Sequence, residues 1–228
     1  MNNNNITIIS LGGSLIVPDQ IDVAFLKSFK RVIDNLTTKG ERFVLICGGG
    51  KTCRYYQSAA KSVIKLTDED LDWLGIHSTR LNAHLLRTIF YQSANPKIIT
   101  HPLEKIHFSE SILIAAGWKP GRSTDYVAVL IAKQLKAKRI LNLSNITCVY
   151  DKDPAKYKNA HPITKINWPE FRKLLPEKWS PGANAPFDPV ASKLAHKLGL
   201  EVDILDGKNY ANLRKCLTSQ KFIGTKII

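Results

Sequence analysis

The sequence has little that would place it in a membrane. Its longest apolar stretches, Ile112–Gly117 and Val127–Ala132, fall far short of the about 20 residues that a spanning helix needs. A leader is not expected either, because the chain opens on a polar asparagine tract at 2–5 and not on a basic, then apolar, segment. The four cysteines, Cys47, Cys53, Cys148 and Cys216, include no Cys-x-x-Cys pair, which argues against a zinc site or a disulfide framework. Free thiols without a leader predict a reducing, cytoplasmic location. The six histidines show no metal-ligand spacing, and no resident metal site is predicted. Acidic residues are scarce: 19 Asp and Glu face 33 Lys and Arg, a formal net charge of +14. That excess points to anionic partners, whether nucleotides, phosphates or nucleic acid.

What is there suffices for a packed core. The chain has 228 residues, 44% of them hydrophobic and 23% charged, and is read as one domain over 1–228. Strands are predicted at Ile6–Leu11, Phe43–Cys47, Lys97–Thr100, Ser111–Ala115, Arg139–Leu143, Glu201–Leu205 and Lys221–Ile227. Helices are predicted at Val23–Leu36, Thr52–Lys65, Asp68–Tyr91, Thr124–Leu135, Val190–Leu198 and Tyr210–Leu217. In the first of these, Phe25, Leu26, Phe29, Ile33 and Leu36 form one stripe, with Asp22 placed to cap it. Strands alternating with long helices imply an α/β fold, a three-layer α/β/α sandwich around a mainly parallel sheet. The stretch Asp151–Ser180 is rich in Pro, Lys and Trp and reads as a loop-and-helix excursion, with Tyr157, Trp168 and Trp179 as packing residues. The lysine-rich stretches 133–139 and 152–158 read as solvated faces, so nucleic acid is not the expected partner.

Two predicted strands end in glycine: Leu11-Gly12-Gly13-Ser14 and Cys47-Gly48-Gly49-Gly50-Lys51. In open α/β sheets ligands sit at the carboxyl ends of the strands, and glycine lets backbone N–H groups approach a phosphate. Gly50-Lys51-Thr52 is not the tail of a P-loop, because the required first glycine is replaced by Leu45. There is no Gly-x-Gly-x-x-Gly fingerprint either. A third strand-end loop, Gly117 to Asp125, is basic and rich in hydroxyls, and it opens a helix. Lys119, Arg122, Ser123 and Thr124 there favour an anion.

These segments, together with Asp72–Asn82 (Asp-Trp-Leu-Gly-Ile-His-Ser-Thr-Arg-Leu-Asn), Phe187–Lys193 (Phe-Asp-Pro-Val-Ala-Ser-Lys) and Gly224-Thr225, resemble the amino acid kinase family, and within it the archaeal-type uridylate (UMP) kinases. The resemblance implies transfer of the ATP γ-phosphoryl group to UMP. Matched position by position, it implies that Gly12, Gly13, Ser14, Gly50, Arg54, Ser144, Asn145, Tyr150 and Asp153 hold ATP. Gly49, Asp72 and the run Trp118, Lys119, Pro120, Gly121, Arg122, Ser123 and Thr124 would hold UMP, with Asp72 at the ribose. Asp125, Arg54 and Lys193 would serve the reaction centre. The same resemblance implies Mg²⁺ carried on the nucleotide phosphates, small nucleotide substrates, no membrane partner and a homo-oligomer, dimer or hexamer.

The chain departs from the family pattern at several positions. Trp118 and Arg122 make the expected acceptor loop bulkier and more basic than the commoner small or polar choices. Ser10 stands where many members have lysine. Thr147 and Cys148 stand where the usual stretch reads Asp-Gly. If that glycine takes a positive φ, a cysteine there costs about 1 kcal/mol or more. Two further readings therefore stay open from the sequence: a kinase of the same fold acting on another phosphate monoester or small acid, and a non-catalytic nucleotide-binding or storage relative.

Overall fold

The computed structural model describes residues 6–176 and 185–228. The first half of the chain runs β1 (Ile6–Leu11), α1 (Gly13–Ile16), α2 (Val23–Thr37), β2 (Arg42–Cys47), α3 (Gly50–Val63), α4 (Asp68–Ile89), β3 (Ala94–Ile99) and β4 (Ile112–Ala115). The second half runs α5 (Thr124–Leu135), β5 (Arg139–Ser144), β6 (Val149–Tyr150), β7 (Pro162–Ile163), β8 (Lys165–Ile166), α6 (Trp168–Lys173), α7 (Pro189–Lys197), β9 (Glu201–Asp206), α8 (Tyr210–Leu217) and β10 (Thr225–Ile227).

Helix starts follow local chemistry. Asp22 accepts from the Phe25 N–H, and Thr67 and Asp70 form a reciprocal capping box on α4. Ser123 caps α5, and Asp188 caps α7 with Pro189 directly after it.

The main sheet has the order β3-β4-β2-β1-β5-β9-β10-β8. The strands from β3 to β9 run parallel. β10 is antiparallel to β9 and parallel to β8, so the last two strands run the other way. Side chains alternate between two apolar layers. Ile8, Ile46 and Leu113 pack with α5, α6 and α7 on one face. Ile9, Leu45 and Ile114 pack with α2, α4 and α8 on the other. Burial on both faces is why these strands read as unbroken apolar runs. The expected α/β/α layering around a mainly parallel sheet is therefore present.

Three local differences have physical reasons. The last strand begins at Thr225 and not at Lys221, because the Asn212 side chain takes both backbone groups of Ile223 (2.7 Å each) and removes them from ladder pairing. β3 begins at Ala94, ahead of Pro96, with a register shift between Ala94 and Ile98; a proline is tolerated there because β3 is an edge strand. Within the expected excursion, β7, β8 and α6 are regular. Trp168 is buried against Phe171 and Phe187, as expected, but Tyr157 is 52% exposed, with the Lys152 ammonium over its ring. Trp179 and Ser180 lie outside the described residues.

Candidate active site

β1 and β2 lie side by side in parallel, so their glycine turns meet at one end of the sheet. The contact is backbone on backbone. A Cβ on Gly13 would stand 2.0 Å from the Gly50 nitrogen, and one on Gly50 would stand 2.4 Å from the Gly13 oxygen. Gly50 also has φ +66°, a conformation that side chains rarely adopt.

Two cavities open beside these turns. One, of about 680 Å³, is lined by Ser14, Gly49, Gly50, Arg54, Asp72, Arg122 and Ser123, among others. The second, of about 480 Å³, is lined by Ser10, Gly12, Gly48, Asp125, Ser144 and Pro186, among others. Both are lined by Gly13, Thr124 and Asn145, so the two spaces adjoin there.

The second cavity contains a built polar cluster. Ser10 on β1 and Asn142 on β5 are register partners and point to the same face, toward α5. The Ser10 hydroxyl donates to Asp125 Oδ1 (2.9 Å), and Asn142 Nδ2 donates to the same oxygen (3.3 Å). The Asp188 N–H donates to Asp125 Oδ2 (3.1 Å). Burial of the carboxyl group pushes Asp125 up to about 6. The Asp188 charge adds to the rise, while the Ser10 and Asp188 N–H hydrogen bonds work against it. Ser10 thus gives Asp125 a neutral partner.

α4 frames the first cavity and holds both loops that edge it. Thr79 Oγ1 accepts from the Gly117 N–H (2.8 Å), and Arg80 Nη2 donates to the Trp118 oxygen (3.2 Å). Asp72 Oδ2 accepts from the Gly121 N–H (2.7 Å). Burial raises the Asp72 carboxyl above its usual value, the Gly121 hydrogen bond opposes this, and Asp68 adds to it. Further along the helix, Asn82 Nδ2 donates to the oxygens of Gly48 (2.7 Å) and Gly49 (3.2 Å).

Of the residues predicted from sequence, Gly12, Gly13, Ser14, Gly49, Gly50, Arg54, Asp72, Arg122, Ser123, Thr124, Asp125, Ser144 and Asn145 line one or both cavities. Others do not. Trp118 packs on the α5-side core and lies edge-on to His101, with Lys119 over its ring. Lys119, Pro120, Tyr150, Asp153 and Lys193 line neither cavity, and Lys193 is exposed on α7. Gly121 reaches the site only through its N–H to Asp72. Cys148 is buried, and its φ is not positive: among the described non-glycine residues only Lys136 and Ser219 have that conformation. The anticipated backbone cost at Cys148 is therefore absent.

Thr79, Arg80, Asn82 and Asn142 were not singled out from the sequence. The signal was there for two of them. Thr79 and Asn82 are buried on the stripe of α4 that also carries Ile76, Ala83 and Leu86, and a polar residue on a buried helix stripe needs a hydrogen-bond partner.

The sequence matches the model of the amino acid kinase family over residues 5–206. It is 33% identical over 223 residues to a uridylate kinase of Methanospirillum hungatei, covering 96% of this chain and 93% of that protein. It is 31% identical over 227 residues to a uridylate kinase of Thermoplasma volcanium, covering 98% of each. The crystal structure of uridylate kinase from Archaeoglobus fulgidus superposes with a TM-score of 0.83 at 25% identity, over 97% of this chain and 99% of that one. A UMP kinase from Bacillus anthracis shares the fold, with a TM-score of 0.78 at 18% identity over 98% and 95% of the two chains.

Proposed function

The chain belongs to the amino acid kinase family, and on that premise we propose that it is an ATP-dependent kinase that phosphorylates UMP, giving UDP and ADP. The observation that carries this reading is the pair of cavities adjoining at Gly13, Thr124 and Asn145, bordered by two glycine turns. Two nucleotides placed in them would meet phosphate to phosphate. A UMP phosphate oxygen would form a bond to the γ-phosphorus as the bond to ADP breaks, with no covalent enzyme intermediate. Positioning and charge neutralisation supply the catalysis in such a transfer.

Under this reading Asp72 receives the UMP ribose. One of its oxygens accepts the Gly121 N–H, and the other is left to accept a sugar hydroxyl. Arg54, at the start of the second turn of α3, faces the acceptor cavity without an ion-pair partner among the described residues. We assign it to the phosphate charge. The Gly13, Ser14 and Asn145 side of the junction is assigned to ATP. Among the described lining residues, Asp72 and Asp125 are the only carboxylates, and they border different cavities. Such a set suits Mg²⁺ arriving on the nucleotide phosphates better than a metal held by protein ligands.

The proposal extends to the molecule's setting. Residues 1–228 are taken as one kinase unit, in keeping with the single large sheet. No described helix is long and apolar enough to cross a membrane, and a cytoplasmic location is proposed with the four free cysteines in its favour. A homo-oligomer is proposed because α3 has no buried residue of its own.

The test is ADP release with ATP, Mg²⁺ and each of UMP, CMP, dUMP, GMP and AMP. UMP turnover is expected to exceed the rest, and Asp72→Asn and Arg54→Ala should each lower kcat/KM by at least about tenfold, or about 1.4 kcal/mol of transition-state binding. Turnover confined to another acceptor would overturn the choice of UMP.

A further inference from the structure

We propose that Asn82 is a positioning residue for phosphoryl transfer, which orients the second glycine turn so that the N–H groups of Gly49 and Gly50 point at the transferred phosphate. The inference rests on the kinase reading above and adds a residue outside the cavity lining.

The argument follows from the planarity of the peptide unit. In a trans peptide the C=O of one residue and the N–H of the next lie in one plane and point in opposite directions. The Gly48 oxygen and the Gly49 N–H belong to one such unit, and the Gly49 oxygen and the Gly50 N–H to the next. Asn82 is 3% exposed, and its single Nδ2 group donates to both oxygens. Fixing both oxygens on Asn82, which lines neither cavity, sends both N–H groups away from that side chain. Gly49 and Gly50 line the larger cavity, so that side is where a phosphate would lie.

The neighbouring amides make the pattern selective. The Gly48 N–H donates to the Leu11 oxygen (2.9 Å) and the Lys51 N–H to the Val17 oxygen (2.9 Å). The inner two of these four consecutive amides, Gly49 and Gly50, have no protein acceptor among the described residues. Two adjacent free N–H groups at the start of a 14-residue helix are suited to stabilise charge on phosphoryl oxygens. The glycine contacts described above leave the turn little room to find this orientation by shifting as a whole.

Asn82→Asp provides the test, with Asn82→Ala beside it. An ionised aspartate cannot donate to the two oxygens and repels them, whereas a protonated one donates to one of them. At pH 7.5 both variants should lose about 10²-fold in kcat, with the KM for UMP moving less than about threefold. On acidification the Asn82→Asp activity, relative to wild type, should recover at least about tenfold, while that of Asn82→Ala should not. Loss of packing alone would give no such recovery within one folded protein. Wild-type kcat in both variants, or equal losses in both at every pH, would overturn the proposal. A wild-type protein inactive on UMP would overturn the acceptor assignment instead. In that case the rise in melting temperature on adding ATP reports on Asn82: a rise in the wild type that is reduced in Asn82→Ala supports the role, and an equal rise overturns it.

Discussion

Asp125 binds through both carboxylate oxygens, to Ser10 and Asn142 on one side and to the Asp188 backbone on the other. Its value near 6, above the usual 3.8, follows from burial without a cation. If catalysis uses the ionised form, activity should fall as the pH drops through about 6. A phosphate monoester also titrates near 6, so part of any acid limb belongs to the acceptor. Ser10→Lys separates the two contributions. An ammonium in the second cavity would face Asp125, lower its pKa by more than about one unit and move the Asp125 part of the limb to lower pH. A pH–kcat profile unchanged by Ser10→Lys would remove Asp125 from the acid limb. Stability carries the opposite sign: a carboxyl raised in the folded state contributes most below its usual value of 3.8 and loses that contribution as the pH rises through about 6. The melting temperature of Ser10→Lys relative to wild type should therefore rise between pH 4 and pH 7, as the ammonium gains an ionised partner.

At the scale of elements, α4 joins the two halves of the site. Thr79→Val keeps the side-chain shape but removes the acceptor of the buried Gly117 N–H. It should cost about 1–3 kcal/mol in denaturant unfolding, and it should raise the KM for UMP by loosening the loop that runs to Asp72. A variant with unchanged stability and KM would show that the loop does not depend on this bond. Which elements were legible in the sequence follows from the same distinction between local and distant causes. β1, β2 and β5 announced themselves as apolar runs because both faces of the sheet are covered, and α2 through a single stripe with Asp22 at its start. The glycine turns were visible as strand ends. The tasks of Thr79 and Asn82 were not, because their partners lie 38 and 34 residues away and exist only once the sheet has brought the loops together. The same holds for Asn212, which reaches 11 residues on and shortens the last strand.

At the scale of the whole molecule, α3 is the element that the chain alone leaves unaccounted for. A 14-residue helix is marginal in water without a packed face, and α3 buries no residue of its own. Tyr56, Val63 (80% exposed) and Ile64 at its end are all exposed. On the neighbouring α4, Trp73, His77 and Leu81 are exposed at intervals of four residues, and Leu81 is 63% exposed. A second copy of the chain covering this surface would contribute about 1.5–3 kcal/mol for each large apolar side chain that it buries. The net charge of +14 works against such pairing, since each copy repels the other. Association through this face should therefore strengthen as salt screens the charge, opposite to a contact built on ion pairs. Light scattering on the purified protein should give a dimer or larger species whose midpoint concentration falls between 50 mM and 500 mM salt. Leu81→Glu together with Val63→Glu should shift it toward single chains. Both side chains are exposed within one chain, so the substitutions should leave the single-chain fold intact. An unchanged mass in the double variant would place the contact on another face, and a wild-type monomer at all concentrations would leave α3 held only by α1 and α4 of its own chain.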